Sequence, residues 1–218
     1  YKINDGYREP LIESNYKIMN LIAPRTNFFI GGSAGLSLSC QTLLGGAVYM
    51  DQKNPTAKNI RFGIREEAMS YILNGMSLLG LRVFGSTKLC FADELKSGMR
   101  LSALMNMPVT YIFTHDSIYN SEEGPVRIPI EQLAMMRSIP NFVVYRPADI
   151  MELMGTWEAI LQNCKPCALV ISTNSIPKLP GSNAKEVKKG AYIIKPEVSR
   201  LDGILIATGS EVVSAMQI

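Results

Sequence analysis

Two stretches hold residue types that could carry chemistry. In "RFGIREEAM" (61–69), Glu66 and Glu67 follow Arg65 at the start of an amphipathic run, so two carboxyl groups stand in the first turn of an expected helix. Acids there favour the helix dipole by about 0.3–1 kcal/mol, which is by itself a sufficient structural reason for both. In "THDSIYNSEEGPVRIP" (114–129), His115 is the only histidine of the 218 residues. It stands where the apolar run "VTYIF" breaks into a polar loop with Asp116, Glu122, Glu123 and Arg127. A loop at the carboxyl end of a parallel strand is where an open α/β sheet places its chemistry.

The cysteines offer a weaker lead. "CKPC" (Cys164 and Cys167) has the spacing of a redox dithiol or half a zinc site. A redox pair opens a helix after a strand, whereas this motif follows a helical pattern and precedes "ALVIS"; Cys40 and Cys90 lie far off. Reduced thiols are the expectation. There is no Walker A sequence, no G-x-G-x-x-G and no second histidine, which sets aside a hydrolase triad and a histidine-rich metal site. No metal ligands are expected in this chain.

The elements that must position these residues alternate. Strands are expected at 27–31, 81–85, 109–114, 142–146, 168–172, 191–195 and 203–208; the first five are continuous apolar runs, as in a parallel sheet covered on both faces. Between them lie helical patterns: "EEAMSYILNGMSLLG", a second near 88–106, "IEQLAMMRS", and "ADIMELMGTWEAILQN" with Asp149 as N-cap or first-turn acid. The pattern predicts an α/β fold, an open, mostly parallel sheet with helices on both faces. "TNSIPKLPGSNAKEVKKG" reads as an interdomain linker, and "DGILIATGSEVVSAMQI" as the first strand, turn and helix start of a further sheet.

A hydrophobic fraction of 47% and a charged fraction of 19% are ordinary for a globular protein. The net charge of +3 is too mild to argue for nucleic acid, though it suits small phosphorylated ligands. No apolar stretch is long enough to span a bilayer, and no signal-peptide pattern opens the chain. Both ends read as cuts, so a piece of a longer protein is expected.

Taken in order, "GGSAGL", "GIREEAM", "GSTKLCF", "THDS", "EEGP", "RSIPN", "YRPAD" and "ATGSEV" closely resemble the transketolase family, thiamine-diphosphate enzymes that move two-carbon ketol units between sugar phosphates. The resemblance runs from about Phe28 to the end. It implies a pyrimidine-binding domain over 1–175, an interdomain linker over 176–202 and a truncated start of the C-terminal domain over 203–218. It implies a homodimer with the cofactor at the subunit interface, a cytoplasmic place in the pentose phosphate pathway, and Mg²⁺ ligands in a diphosphate-binding domain that this chain lacks. Partners would be sugar phosphates, with neither nucleic acid nor membrane. Glu66 matches the family's catalytic glutamate, whose carboxyl group hydrogen-bonds N1′ of the aminopyrimidine ring and controls its tautomer. Phe91 matches a ring-stacking aromatic; His115, counted with Glu66 as catalytic, falls with Glu123, Arg127 and Ser39 at sugar or phosphate contacts.

Several positions depart from that pattern. Lys88 replaces one stacking aromatic and Glu94 a tyrosine; Gly35 replaces an acid, Glu123 an aspartate, Arg127 a second histidine and Thr173 a phosphate-binding arginine. Arg127 can still hold a phosphate but cannot exchange protons near neutral pH. Two other readings stay open: a catalytically impaired relative that serves as a structural or regulatory dimer partner, and another thiamine-diphosphate enzyme, such as a deoxyxylulose-phosphate synthase or the β-type subunit of a 2-oxoacid dehydrogenase.

Overall fold

A computed structural model describes residues 3–26, 28–118 and 124–218. At its centre is a six-stranded sheet in which every pairing is parallel: β2 (Phe29–Ser33), β3 (Asn59–Arg61), β4 (Arg82–Lys88), β5 (Val109–Thr114), β6 (Val143–Tyr145) and β7 (Cys167–Ile171) lie in the order β3-β2-β4-β5-β7-β6. A separate antiparallel pair joins β1 (Arg8–Pro10) to β8 (Ser175–Pro177).

The continuous apolar runs follow from burial on both faces. Along β5, Tyr111 and Phe113 enter one core with Met69 and Leu73 of α2 (Glu66–Leu78), Met99 of α3 (Lys96–Met105) and Met136 of α4 (Gln132–Arg137). Ile112 enters the other core, with Leu11 and Met19 of α1 (Leu11–Ile22) and Leu153 and Trp157 of α5 (Ile150–Asn163). β7 alternates the same way, Ala168 and Val170 against Leu169 and Ile171. The Trp157 indole N–H donates to Asn15 Oδ1 at 2.8 Å, tying α1 to α5. Asp149 is the N-cap of α5 and accepts from the Glu152 N–H.

Differences from the sequence reading cluster at weak signals. The pattern near 88–106 is a 3₁₀ turn, Leu89–Leu95, that runs into α3. α1, β1, β3 and β8 were not anticipated. The runs at 191–195 and 203–208 form no strand, and Ile193, Ile204 and Ile206 are exposed. An apolar, β-branched run becomes a strand only where a neighbouring ladder accepts it, and neither run meets one among the described residues. Within 176–202, the 3₁₀ helix Ala184–Lys189 packs on α5. Beyond it lies α6 (Glu211–Gln217).

Candidate active site

The candidate residues gather at the carboxyl edge of the sheet. Glu66 opens α2 directly after β3; the helix starts there because Arg65 sits outside helical space, at φ −153° and ψ 61°. The adjacent acids part ways. Glu67 is exposed, as a residue serving only the helix dipole would be, while Glu66 retains only 8% exposure. Thr87 of β4 donates to Glu66 Oε1 at 3.3 Å. A carboxyl so buried and held is worth its desolvation only with partners, and Thr87 is one.

Phe91 lies half-buried in the 3₁₀ turn after β4, which packs against the start of the same helix layer and against the turn Pro125–Arg127. Arg127, at the end of that second turn, is exposed. The rings and charges named from sequence on either side of this edge are therefore neighbours by element. Glu123 lies outside the described residues.

His115 follows β5 with φ +57°, a left-handed conformation rare for a side-chain-bearing residue and a recurrent mark of functional turns. Its Nδ1 is 2.9 Å from Thr114 Oγ1, and the same hydroxyl donates to Cys40 Sγ at 3.4 Å. A hydroxyl has one proton to give, so with that proton on Cys40 the imidazole donates from Nδ1, and Nε2 is the ring's acceptor. Burial pushes the Cys40 thiol up to about 11, opposed by the Thr114 hydroxyl and the Lys88 ammonium. Lys88 is itself buried at the end of β4.

The loop after β2 completes the edge. Ser33 Oγ donates to the Ser86 carbonyl at 2.8 Å and accepts from the Leu36 N–H at 3.1 Å, and Gly35 takes φ +80°. A cavity of about 410 Å³ opens beside it, with Ser33, Leu36, Ser37, Ser39, Tyr49 and Arg61 in its wall. The Arg61 guanidinium lies over the Tyr49 ring, 4.0 Å from its centroid.

Sequence reasoning missed Thr87, the residue that holds Glu66. Its only signal was its place at the end of an apolar run. It also missed Arg146 of "YRPAD", which donates from Nε to Asp116 Oδ2 at 3.0 Å. Gly35 and Thr173 stand where the sequence placed them, on the loops after β2 and β7.

The dithiol reading fails on burial. Cys167 is inside β7, where burial pushes its thiol up to about 12. Cys164 is exposed at the left-handed C-cap of α5, with Arg82 Nη2 at 2.8 Å from its sulfur. Among the described residues no group of three His, Cys, Asp or Glu could hold a metal ion. Iodoacetamide at pH 8 is expected to alkylate Cys164 of the folded chain and to spare Cys40 and Cys167 until denaturant is added, as peptide mass spectrometry would show. The same two thiols carry a pH signature. Both are raised above the usual value near 9, so their stabilising effect is complete below that pH and is lost as pH climbs toward about 11 and about 12.

Residues 12–178 match the profile described as "Transketolase, pyrimidine binding domain". The chain is 42% identical over 212 residues to a probable transketolase of Streptococcus pneumoniae, covering 96% of this chain and 32% of that protein. It is 42% identical over 210 residues to the transketolase of Bacillus subtilis, covering 94% and 32%. It superposes with a TM-score of 0.91 and 34% identity on a solved transketolase of Pichia stipitis in complex with sedoheptulose-7-phosphate, covering 96% of this chain and 32% of that one. The chain thus spans about a third of the length of the relatives it matches.

Proposed function

The chain belongs to the transketolase family, and on that premise we propose that the complete protein is a thiamine-diphosphate-dependent transferase moving two-carbon ketol units between sugar phosphates. The observation that carries the reading is the separation of the two first-turn acids: Glu66 is buried and held by Thr87, while Glu67 faces solvent.

The residues present fit the aminopyrimidine half of that cofactor. A buried carboxyl group suits a ring nitrogen, and the half-buried Phe91 offers an aromatic face. When bound, the cofactor supplies the carbon nucleophile for ketol transfer. Glu66 holds a proton against N1′ of its ring, and Thr87 keeps the carboxylate aimed. His115, through Nε2, contacts the sugar; Ser39, Glu123 and Arg127 take hydroxyl or phosphate groups, Arg127 by its planar guanidinium. The Mg²⁺ ligands belong to a domain outside this chain.

A homodimer closing over this edge is part of the same proposal. Leu38, Ile64, Val126 and Ile130, all on loops after the strands' carboxyl ends, are exposed apolar side chains of the kind a partner surface covers. No helix is long and apolar enough to cross a membrane among the described residues. We place the protein in the cytoplasm and the pentose phosphate pathway. We divide the chain into a pyrimidine-binding domain (1–175), a linker (176–202) and the start of a C-terminal domain (203–218).

The test is a calorimetric titration of the complete protein with thiamine diphosphate and Mg²⁺. Saturable binding near micromolar, about −8 kcal/mol, supports the proposal; a folded dimer that binds nothing sinks it. A second reading, an impaired relative, draws on the buried Lys88 at a ring-stacking position. Lys88→Phe is expected to tighten cofactor binding about 2- to 10-fold, the worth of one aromatic contact. Unchanged affinity would count against Lys88 as the weak point.

A further inference from the structure

Residues of three motifs, each left without a task by the sequence, meet in one place. Asp116 of "THDS" is buried directly after the left-handed His115, and its Oδ2 takes both Arg146 Nε, at 3.0 Å, and Arg146 Nη2, at 2.9 Å. Arg146 of "YRPAD" then reaches on: Nη1 donates to the Thr208 carbonyl at 3.0 Å and lies 2.6 Å from Glu211 Oε2, a close contact of charges rather than an aligned hydrogen bond. The Gly209 N–H donates to the Arg146 carbonyl at 3.1 Å. Gly209 has φ +63°, and a Cβ there would lie 2.7 Å from Arg146 Nε. The "ATGSEV" turn is shaped to let this guanidinium pass.

An arginine with only 9% of its side chain exposed that spans two acids from separate segments has little slack. Its planar fork sets the angle between them, and removing it would leave Asp116 as a buried charge without its cation. Burial already raises the Asp116 carboxyl, against the pull of Arg146.

We propose that Arg146 is a positioning residue: by gripping Asp116 it sets the turn that aims His115, and by gripping Thr208 and Glu211 it makes that aim depend on how the segment 208–211 is seated. The role of His115 toward the sugar rests on the function proposed above; the coupling of positions 115 and 211 does not. Glu211 is a part of the latch that solvent reaches, with 45% of its side chain exposed, so whatever seats against segment 208–211 is sensed at the turn.

Because His115 is the only histidine of this chain, a sample labelled with ¹³C at the histidine Cε1 gives one imidazole signal. Arg146→Lys and Glu211→Gln should each move that signal by more than its line width, while Glu158→Gln on the exposed side of α5 should leave it in place. Arg146→Lys keeps the charge but cannot hold three partners in one plane. An unmoved signal in a folded Glu211→Gln chain overturns the coupling, whatever the cofactor titration gives. In the complete enzyme, Arg146→Lys should raise the ketose KM about tenfold with cofactor affinity within threefold of wild type, and should add nothing in a His115→Ala background. Additive losses there would show that Arg146 does not act through His115.

Discussion

Glu66→Gln in the complete protein is expected to lower kcat for ketol transfer by about 10²–10⁴-fold, the usual worth of a positioned proton-transfer group. Glutamine keeps the size of the side chain and can still accept from Thr87, but it cannot hold a proton against a ring nitrogen as a carboxyl can. The burial of Glu66 makes the control informative. Glu67→Gln, one residue on and exposed, alters the helix dipole by a comparable amount and is expected to leave kcat within about twofold, since a dipole effect is at most about 1 kcal/mol and acts on stability. Steady-state kinetics on the pair, with calorimetry of cofactor binding beside it, separates the two roles. If Glu66→Gln retains more than about a tenth of the activity, the acid is a helix-start residue and the proposed chemistry lies elsewhere.

Asp149→Ala is expected to be the most destabilising of the polar substitutions, by about 3–5 kcal/mol in urea denaturation. The side chain is fully buried and does three things at once. Oδ1 accepts from the Glu152 N–H at 3.0 Å and from Ser182 Oγ at 2.7 Å, and Oδ2 accepts from the Leu179 N–H at 2.9 Å. Alanine removes an N-cap worth about 1 kcal/mol and strands the Leu179 N–H away from water, at about 1–3 kcal/mol. Glu152 makes the corner tighter, accepting from the Ala148 N–H at 2.8 Å and from the Tyr192 hydroxyl at 2.6 Å. Asp149→Asn keeps acceptors for only part of this set and should fall between wild type and alanine. A loss under about 1 kcal/mol for Asp149→Ala would mean that the cap alone matters and that 179–182 holds itself in place.

What could be read from sequence follows the length and continuity of the signal. β4, β5 and β7 are seven, six and five residues long and buried throughout or nearly so, so their apolar runs stand out. β3 is three residues with only Asn59 buried, and nothing in "NIR" announces a strand. α1 had a usable pattern, since Leu11, Ile18, Met19 and Ile22 share the face that meets the core, but its interruption by Ser14, Asn15 and Lys17 hid it. Glu66 was legible because its motif is local. Its holder Thr87 and the Arg146 latch were not, because those contacts join positions 21, 30 and 62 residues apart. Local periodicity says which face a residue takes; it does not say which distant residue it meets there. The runs at 191–195 and 203–208 show the converse, a local preference for extended chain with no neighbouring strand to pair it.

The strand order β5-β7-β6 has a temporal meaning. β6 is made before β7 yet, among the described residues, pairs only with it, so as the chain emerges Val143–Tyr145 has nothing to join until α5 and Cys167–Ile171 have followed. Until then β5 keeps an open edge over residues 110–114, waiting for the strand that will fill it. Closure of the sheet is therefore a late event that couples β6, α5 and β7 into one step, and parallel pairings across so long a crossover are intrinsically slow. During that interval the nascent chain exposes an unpaired apolar strand, the state in which such chains most readily aggregate.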